Sequence, residues 1–370
     1  MNQPKRKPWL RYSLKFSLAL ITIFSVVFAV YSRYKKTRDD ELAAIQQLAP
    51  SDYSYGYQLS ESNTPEPPGP KWLRMLLGDD EFFARIKKLR LGDRSDGATS
   101  AITDLGGIRA FQELDQLAVY SSGLQDVSEV LELQNLRVLS LDGVTDNCDL
   151  TPIGVLTRLE SFTLLSEESS EFSLATFRDH PSLTSLSLRY WNDAKLKDLG
   201  ALASIPNLKH LSFSGCEFEV VSSDELDEHH NQTQSVQQLP SLRSLTLKSN
   251  KGLKSLGPLS SAPHLETLKL RDCSKLNVSS SNLNYPQLKN LNIQGCSAVE
   301  DLDGFTNSKQ LESTSIIFCP LQNIEGLRGK DRLKTLNLIM HSDHLQSLEG
   351  MPTKSLQNCE IRGCPSLKSI

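Results

Sequence analysis

Hydrophobic residues recur along most of the chain in the order Leu-x-x-Leu-x-Leu, with polar residues between them. One such unit runs from Leu288 through Leu291 and Ile293 to Cys296, which follows three residues after the last apolar position. About twelve units succeed one another, and most begin 22 to 25 residues after the previous one. Their first residues are Ile86, Leu114, Leu136, Leu159, Leu183, Leu208, Leu242, Leu265, Leu288, Leu311, Leu333 and Leu356. This regular spacing indicates a tandem array of one small structural unit.

Within each unit, the alternation of apolar and polar residues predicts a short strand. Leu291 and Ile293 point to one face of such a strand, while Asn290 and Asn292 point to the other. No unit can close a core alone, so neighbouring strands are expected to stack as a parallel sheet and to bury their leucines against each other. The return segment is too short for a long helix. The predicted fold over residues 86–370 is therefore an α/β solenoid with a concave parallel β-sheet and a convex side of 3-10 turns and extended chain.

Five of the seven cysteines occupy one slot of the repeat, three residues after the last apolar position, and an asparagine occupies it in another unit. Both residue types can make small buried hydrogen bonds that tie the turn after each strand, which predicts a structural ladder. Disulfides between stacked units are the alternative, although an odd total leaves at least one thiol free. Spacings near 23 residues are unlike those of zinc sites. The predicted ladder residues are Cys216, Asn250, Cys273, Cys296, Cys319 and Cys364.

The amino-terminal part predicts a membrane anchor. A basic segment over residues 1–15 precedes an uncharged apolar run over 16–32, and a second basic cluster follows from Arg33 to Arg38. Seventeen residues at about 1.5 Å each are near the lower limit for crossing a bilayer. A cleaved secretory signal is the alternative, because residues 27–29 offer small side chains to a peptidase.

Five basic residues precede the apolar run and four follow it, which weakly favours a cytoplasmic amino terminus. The expected localisation is a single-pass membrane protein with repeats outside the cytoplasm. Free thiols are less usual in an oxidising compartment. Burial in the ladder is expected to protect them.

A connector and a cap are predicted between the anchor and the repeats. Residues 33–70 read as a juxtamembrane connector that contains a short helix over 40–48 and ends in a Pro-rich linker. Residues 71–85 read as an amino-terminal cap whose apolar side chains cover the edge of the first unit. A helix that binds a partner or the membrane surface is the alternative. The apolar residues concerned are Trp72, Leu73, Leu76, Leu77, Phe82 and Phe83.

The outward positions of the predicted strands carry mostly small hydroxyls and a few cations, which suits either a solvated sheet or an extended polar partner. Two units depart from this pattern with apolar residues at outward or rim positions, and exposed apolar patches often mark binding sites. A register shift at Thr314 is the alternative explanation. The predicted partner-binding residues are Ile317, Phe318, Ile339 and Met340, with Tyr190 and Trp191 as a second, smaller candidate.

No catalytic, metal-binding or nucleotide-binding motif is found, so neither an enzyme nor a cofactor is expected. An inserted loop over 219–238 contains acidic residues and two histidines, but loops of this composition are normally solvated. Forty basic residues against 44 acidic ones give a net charge of −4, which argues against nucleic acid as the main partner.

The segment PGPKWLRMLLGDD, from Pro68 to Asp80, together with the anchor and the repeats, resembles membrane-anchored bacterial leucine-rich-repeat proteins with short, 22-residue-type repeats. The resemblance implies the fold and topology and says little about activity. The expected function is a non-enzymatic, membrane-tethered recognition module that binds a protein or envelope component through the concave face. The alternatives are a structural or adhesive spacer, and an adaptor that presents substrates to a separate enzyme and requires cytoplasmic repeats.

Overall fold

The computed structural model describes residues 14–48, 50–56, 58–59, 65–79, 81–92, 102–145, 148–166, 171–218, 238–250, 252–279, 283–341 and 344–368. Over these ranges the chain forms the helices α1 (Leu14–Leu48) and α2 (Lys71–Leu77). The strands are β1 (Asp52–Tyr55), β2 (Gln58–Leu59), β3 (Pro65–Glu66), β4 (Ile86–Leu91), β5 (Gln116–Leu124), β6 (Val138–Val144), β7 (Ser161–Ser166), β8 (Glu171–Ser173), β9 (Ser185–Lys197), β10 (His210–Phe218), β11 (Ser244–Lys248), β12 (Thr267–Arg271), β13 (Asn290–Gln294), β14 (Ser313–Ile317), β15 (Thr335–Ile339) and β16 (Asn358–Arg362).

A single sheet of 14 strands runs through the repeats. Its order follows the chain from β4 to β16, with β8 paired beside β9, and neighbouring strands are parallel throughout this range. At the amino-terminal edge, β1 lies antiparallel to β4. From β11 to β16 the register stays in step, so equivalent residues of successive units form continuous rows across the sheet.

The strand leucines point into one continuous core. Leu268, Leu291 and Leu336 occupy one row and are buried, as the alternation of side chains along a strand requires. The sequence prediction of a leucine-rich-repeat solenoid is confirmed. The return side carries the predicted 3-10 turns, at Ile108–Ala110, Ser128–Glu132, Thr151–Val155, Leu174–Phe177, Leu199–Ser204, Gly257–Ser260, Asp303–Phe305 and Glu325–Leu327.

Buried polar side chains join neighbouring units on the return side. The Tyr285 hydroxyl donates to the carbonyl of Leu259 at 2.5 Å. The Lys330 ammonium donates to the carbonyls of Phe305 and Thr306 at 2.8 and 2.6 Å. Each of these two side chains precedes the first leucine of its unit by three residues. The spacing of the repeat therefore delivers a side-chain donor to backbone carbonyls of the preceding unit.

Helix α1 is longer than the sequence predicted. It runs unbroken for 35 residues, so the apolar run over 16–32 and the expected short helix over 40–48 are parts of one element. No glycine or proline interrupts it, and Pro50 follows closely on its end. The apolar run is exposed, and the helix is long and apolar enough, by length and composition, to cross a membrane. The other end packs on the core through Ala44, with Ile45 and Leu48 beside it.

The second half of α1 makes polar contacts with β1 and with the segment just before β4. Arg38 donates to the hydroxyl of Tyr55 at 2.7 Å and lies 3.7 Å from a carboxylate oxygen of Glu81. Glu41 is fully buried and interacts electrostatically with Arg85 and Arg38. Burial raises the pKa of the Glu41 carboxyl to about 7, because the loss of hydration outweighs the attraction of the two arginines.

Candidate functional site

The open face of the sheet, on the side away from the leucine core, is polar in most units. Strand residues at its centre include Thr246, Lys269, Asn292 and Ser315, which lie in one row. The row at the carboxyl end of the strands carries the clearest departure from this polarity. It runs through Lys248, Arg271, Gln294, Ile317, Ile339 and Arg362.

Ile317 and Ile339 are direct neighbours across β14 and β15, and both are half-buried. The register shift considered for this unit does not occur, because Thr314 pairs with Leu291 on one side and Leu336 on the other. Thr314 is fully buried in the leucine row, and Ile317 therefore faces outward. Two adjacent units thus place apolar side chains on a face that is polar in the units on either side of them.

Phe318 follows Ile317 and is exposed over 47% of its surface. Its backbone is left-handed, with φ of 55°, a conformation that is uncommon for a bulky residue. Equivalent positions in other units also have positive φ, but they carry glycine or a small polar residue. They are Gly215, Ser249, Asp272, Gly295 and Gly363. The left-handed turn is therefore common to these six units. Only the unit of Phe318 places an aromatic side chain on it.

A hydrogen bond explains why the turn is retained. The backbone N–H of Phe318 donates to the carbonyl of Ile339 at 2.7 Å, as that of Asp272 donates to Gln294 at 2.8 Å. Left-handed backbone costs roughly 1–2 kcal/mol in a residue other than glycine. An aromatic side chain that bears this cost and stays half in solvent gains little from packing. Strain at an exposed residue of this kind is typical of functional sites.

The Phe318 ring stacks on His341 of the next unit, with ring centroids 4.6 Å apart and an interplanar angle of 15°. His341 is exposed, and it stands in the slot that cysteine or asparagine fills in the ladder units. The two rings therefore extend the apolar surface of Ile317 and Ile339 toward the rim. We call these four residues, Ile317, Phe318, Ile339 and His341, the rim patch.

The expectation that Met340 is exposed was wrong. Met340 is fully buried, although it occupies the position that corresponds to Phe318 in the next unit. Its φ is not positive, so its side chain turns into the core rather than toward solvent. His341 takes its place at the surface, and an unusual residue in the ladder slot was the signal that could have revealed it.

Tyr190, one of the two residues of the second candidate, is not exposed either. Tyr190 is only 5% exposed, because β9 continues past it to Lys197 and its side chain joins the core. Trp191 lies on the same strand, but its side chain is outside the described part of the structure.

The ladder slots lie directly behind the carboxyl ends of the strands. All seven cysteines are free thiols. Within the ladder, Cys216, Cys273, Cys296 and Cys319 are buried and Cys364 is half-buried.

Hydrogen bonds hold the ladder residues in place. The thiol of Cys319 donates to the carbonyl of Ile317 at 3.5 Å, and burial raises the pKa of this thiol. Asn250 accepts from the N–H of Cys216 at 2.8 Å and donates to the carbonyl of Phe213 at 3.2 Å. The slot therefore ties each turn to its own strand or to the preceding one, which supports the backbone that carries the rim patch.

No group of three His, Cys, Asp or Glu side chains that could hold a metal ion is found among the described residues. The acidic and histidine residues of the inserted loop, over 219–237, lie outside those residues. The described residues thus offer a surface for contact and no set of metal ligands.

Comparisons with known proteins concern the repeat architecture. No protein-family model and no curated protein sequence matches the chain. Among solved structures, the chain is similar to an internalin, inlF, of Listeria monocytogenes, with 17% identity and a TM-score of 0.42 over 78% of this chain and 92% of the internalin. It is also similar to InlP of Listeria monocytogenes, with 18% identity and a TM-score of 0.39 over 68% of this chain and 64% of InlP.

A third similar structure is TLR13 in complex with the RNA ssRNA13, with 18% identity and a TM-score of 0.43 over 70% of this chain and 40% of TLR13. At these identities the likeness concerns the fold alone.

Proposed function

We propose that the chain is a non-enzymatic recognition module, tethered to a membrane by α1, that binds a protein or envelope component through the open face of its repeats at the rim patch. The observation that supports this proposal most is Phe318, whose ring is exposed on a left-handed backbone that other units assign to glycine or small polar residues.

The chemistry of the rim patch favours a partner that presents an apolar side chain. Ile317, Ile339 and the Phe318 ring offer an apolar contact, and aromatic anchors of this kind contribute most of the affinity at many interfaces. Gln294 and Arg362 lie on either side of the isoleucine pair, with Arg271 beyond Gln294. These polar and cationic neighbours at the border of the patch would fix the orientation of a bound partner.

The tether rests on α1. Its exposed apolar run and the basic residues on both sides of it fit a single membrane crossing. We place the amino terminus in the cytoplasm and the repeats outside it, following the charge balance. The core then shields the four buried ladder thiols from oxidation.

Site-specific photo-crosslinking in intact membranes tests the proposal. A benzophenone amino acid replaces Ile339 in the rim patch or, as a control, Val155, which is 61% exposed on the return side. A recognition module gives a discrete adduct from position 339 and none from position 155. The variant Phe318→Asn lowers the yield of that adduct. Mass spectrometry of the adduct then names the partner.

The same experiment separates the alternatives. A spacer or adhesive protein gives no discrete adduct from position 339, or one that Phe318→Asn leaves unchanged, and either result contradicts the rim patch as a recognition site. An adaptor requires cytoplasmic repeats. Protease added to intact spheroplasts digests the repeats if they lie outside the cytoplasm and spares them if they lie within it.

A further inference from the structure

A second exposed apolar surface lies on α2, at the opposite end of the molecule from the rim patch. Trp72, Met75 and Leu76 are 67%, 70% and 75% exposed. Their spacing of three and four residues places them on one face of the helix. We call these three residues the α2 face.

The α2 face is held outward by contacts on the other side of the helix. Arg74 is buried, and its guanidinium donates to the carbonyls of Pro67 and Gly69 at 2.6 and 2.5 Å. Gly78 ends the helix with a left-handed backbone, and its N–H donates to the carbonyl of Met75. The exposure of the apolar side chains is therefore a consequence of a defined structure.

Helix α2 lies close to the point at which the apolar run of α1 ends. The ring of Tyr31 stacks on Phe82 with centroids 5.4 Å apart, and the ring of Tyr34 meets Phe83 edge-on at 5.3 Å. Gly69, two residues before α2, lies against the Phe83 ring so closely that a Cβ there would be 2.6 Å from a ring carbon. A chain of direct contacts thus links the end of the apolar run to the start of α2.

The length of the apolar run brings this region to the membrane boundary. Seventeen uncharged residues span about 25 Å, whereas the hydrocarbon core of a bilayer is about 30 Å thick. When an apolar run is shorter than the hydrocarbon core, the bilayer thins around it, and the membrane surface comes close to the residues that flank the run. Tyr34 then lies at the interface, and the contacts described above place α2 beside it. The cations Lys35 and Lys36, just after the apolar run, and Lys71, at the start of α2, are exposed and suit lipid phosphates.

We infer that the α2 face inserts into the interfacial layer of the bilayer that α1 crosses and holds the first repeats against the membrane surface. This inference depends on the proposed tether. A helix of seven residues offers too little area for a stable protein interface, which needs about 800 Å² per partner. A lipid surface needs no such area, because α1 already keeps α2 next to it.

Fluorescence quenching by brominated lipids in reconstituted vesicles tests the inference. The full-length chain carries tryptophans at positions 9, 72 and 191, so Trp9→Phe and Trp191→Phe leave Trp72 as the only emitter. Vesicles contain phosphatidylcholine with or without bromine near the top of its acyl chains. The matched control carries its single tryptophan at Val155, by Val155→Trp with Trp72→Phe, on the exposed return side of the repeats.

Interfacial insertion predicts that bromine lowers Trp72 emission about twofold, while the tryptophan at position 155 is unaffected. The pair Met75→Glu and Leu76→Glu abolishes the quenching of Trp72. If Trp72 is not quenched in protein that withstands alkaline extraction from the vesicles, the inference is overturned and the tether stands. A blue-shifted but unquenched Trp72 also overturns it and assigns the α2 face to a protein surface, such as a second copy. Protein that alkaline extraction removes overturns the tether itself.

Discussion

Two neighbouring repeats share the same turn and register but carry different side chains at two positions that affect stability. The unit that contains β13 has Leu291 in the buried row and Gly295 at the left-handed turn, whereas the unit that contains β14 has Thr314 and Phe318. The turn residue donates to the last residue of the following strand in both units. The repeat therefore sets the backbone hydrogen bonds of each unit. The side chains at the buried row and at the turn set the free-energy cost of forming that unit.

Both substitutions in the β14 unit oppose stability. Thr314 Oγ1 is buried without a hydrogen-bond partner in the described part of the chain, which costs roughly 1–3 kcal/mol. Phe318 adds the cost of its left-handed backbone. Stability alone thus favours the residues of the β13 unit, and the departure in the β14 unit coincides with the rim patch.

The largest expected effect is at the leucine of the favourable unit. Leu291→Ala removes a buried side chain from the row between Leu268 and Thr314, and we expect a loss of about 3 kcal/mol in unfolding free energy. Thr314→Ala costs much less, because the smaller side chain leaves less volume to lose. Urea unfolding of the full chain in mild detergent measures both. Equal losses would contradict the view that the β14 unit is the weaker of the two.

The buried polar groups that join successive units allow the two repeats to be compared by their response to pH. The neutral hydroxyl of Tyr285 joins the β13 unit to the unit before it. The buried ammonium of Lys330 joins the β14 unit to the unit after it. Burial lowers the pKa of Lys330 from 10.5 to about 8. The folded chain therefore releases this proton before the unfolded chain does. Stability rises as pH increases from about 8 to 10.5, by up to about 3 kcal/mol.

The control for this pH effect is Lys330→Met, which keeps the volume and removes the titrating group. Unfolding free energies of the two proteins are measured from pH 7 to pH 10.5, and their difference isolates Lys330 from the other titrating groups. A difference that stays constant over this range would show that the ammonium is not destabilised by burial.

Phe318→Asn tests whether the strained turn serves binding. Asparagine tolerates left-handed backbone well, so we expect unfolding free energy to stay unchanged or rise by up to about 1 kcal/mol. The yield of the crosslink from position 339 falls at the same time. Asp272→Asn is the matched control, because it changes the equivalent turn two units earlier and leaves both stability and crosslinking unaltered. A large loss of stability in Phe318→Asn would instead assign the ring a packing role.

The smallest effect is expected at the buried hydroxyl. Thr314→Val keeps the shape of the side chain and removes the unpaired oxygen, so unfolding free energy should rise by about 1 kcal/mol. The crosslink from position 339 should not change, because Thr314 faces the core. A lower unfolding free energy would mean that the hydroxyl has a partner, such as a buried water molecule.

The repeats could be predicted from the sequence because their information is local and repeated. Each Leu-x-x-Leu-x-Leu specifies one strand and the face that it buries, and about twelve copies make the pattern unmistakable. The outward direction of Ile317 followed from the same alternation once the register was known. The prediction for Met340 failed because the choice between rim and core depends on one backbone angle, which composition does not reveal.

The unbroken α1 could have been inferred from the lack of glycine and proline between Leu14 and Leu48, but its packing on the first repeat could not. Glu41 and Arg38 look like ordinary surface charges in the sequence. They become buried only because residues of β1, of α1 and of the segment before β4 come together around them. The role of the second half of α1 as a cover for the core is likewise a product of the tertiary structure.

The sequence alone determined the solenoid, the position of the membrane-anchor candidate and the slots of the ladder, because each depends on spacing along the chain. The tertiary structure decided that Phe318 is exposed on a strained turn, that His341 stacks on it, that Tyr190 and Met340 are buried, and that the α2 face adjoins the end of the apolar run. Each of these depends on contacts between residues far apart in the chain or on the sign of one backbone angle, and neither is encoded in the pattern of apolar and polar positions.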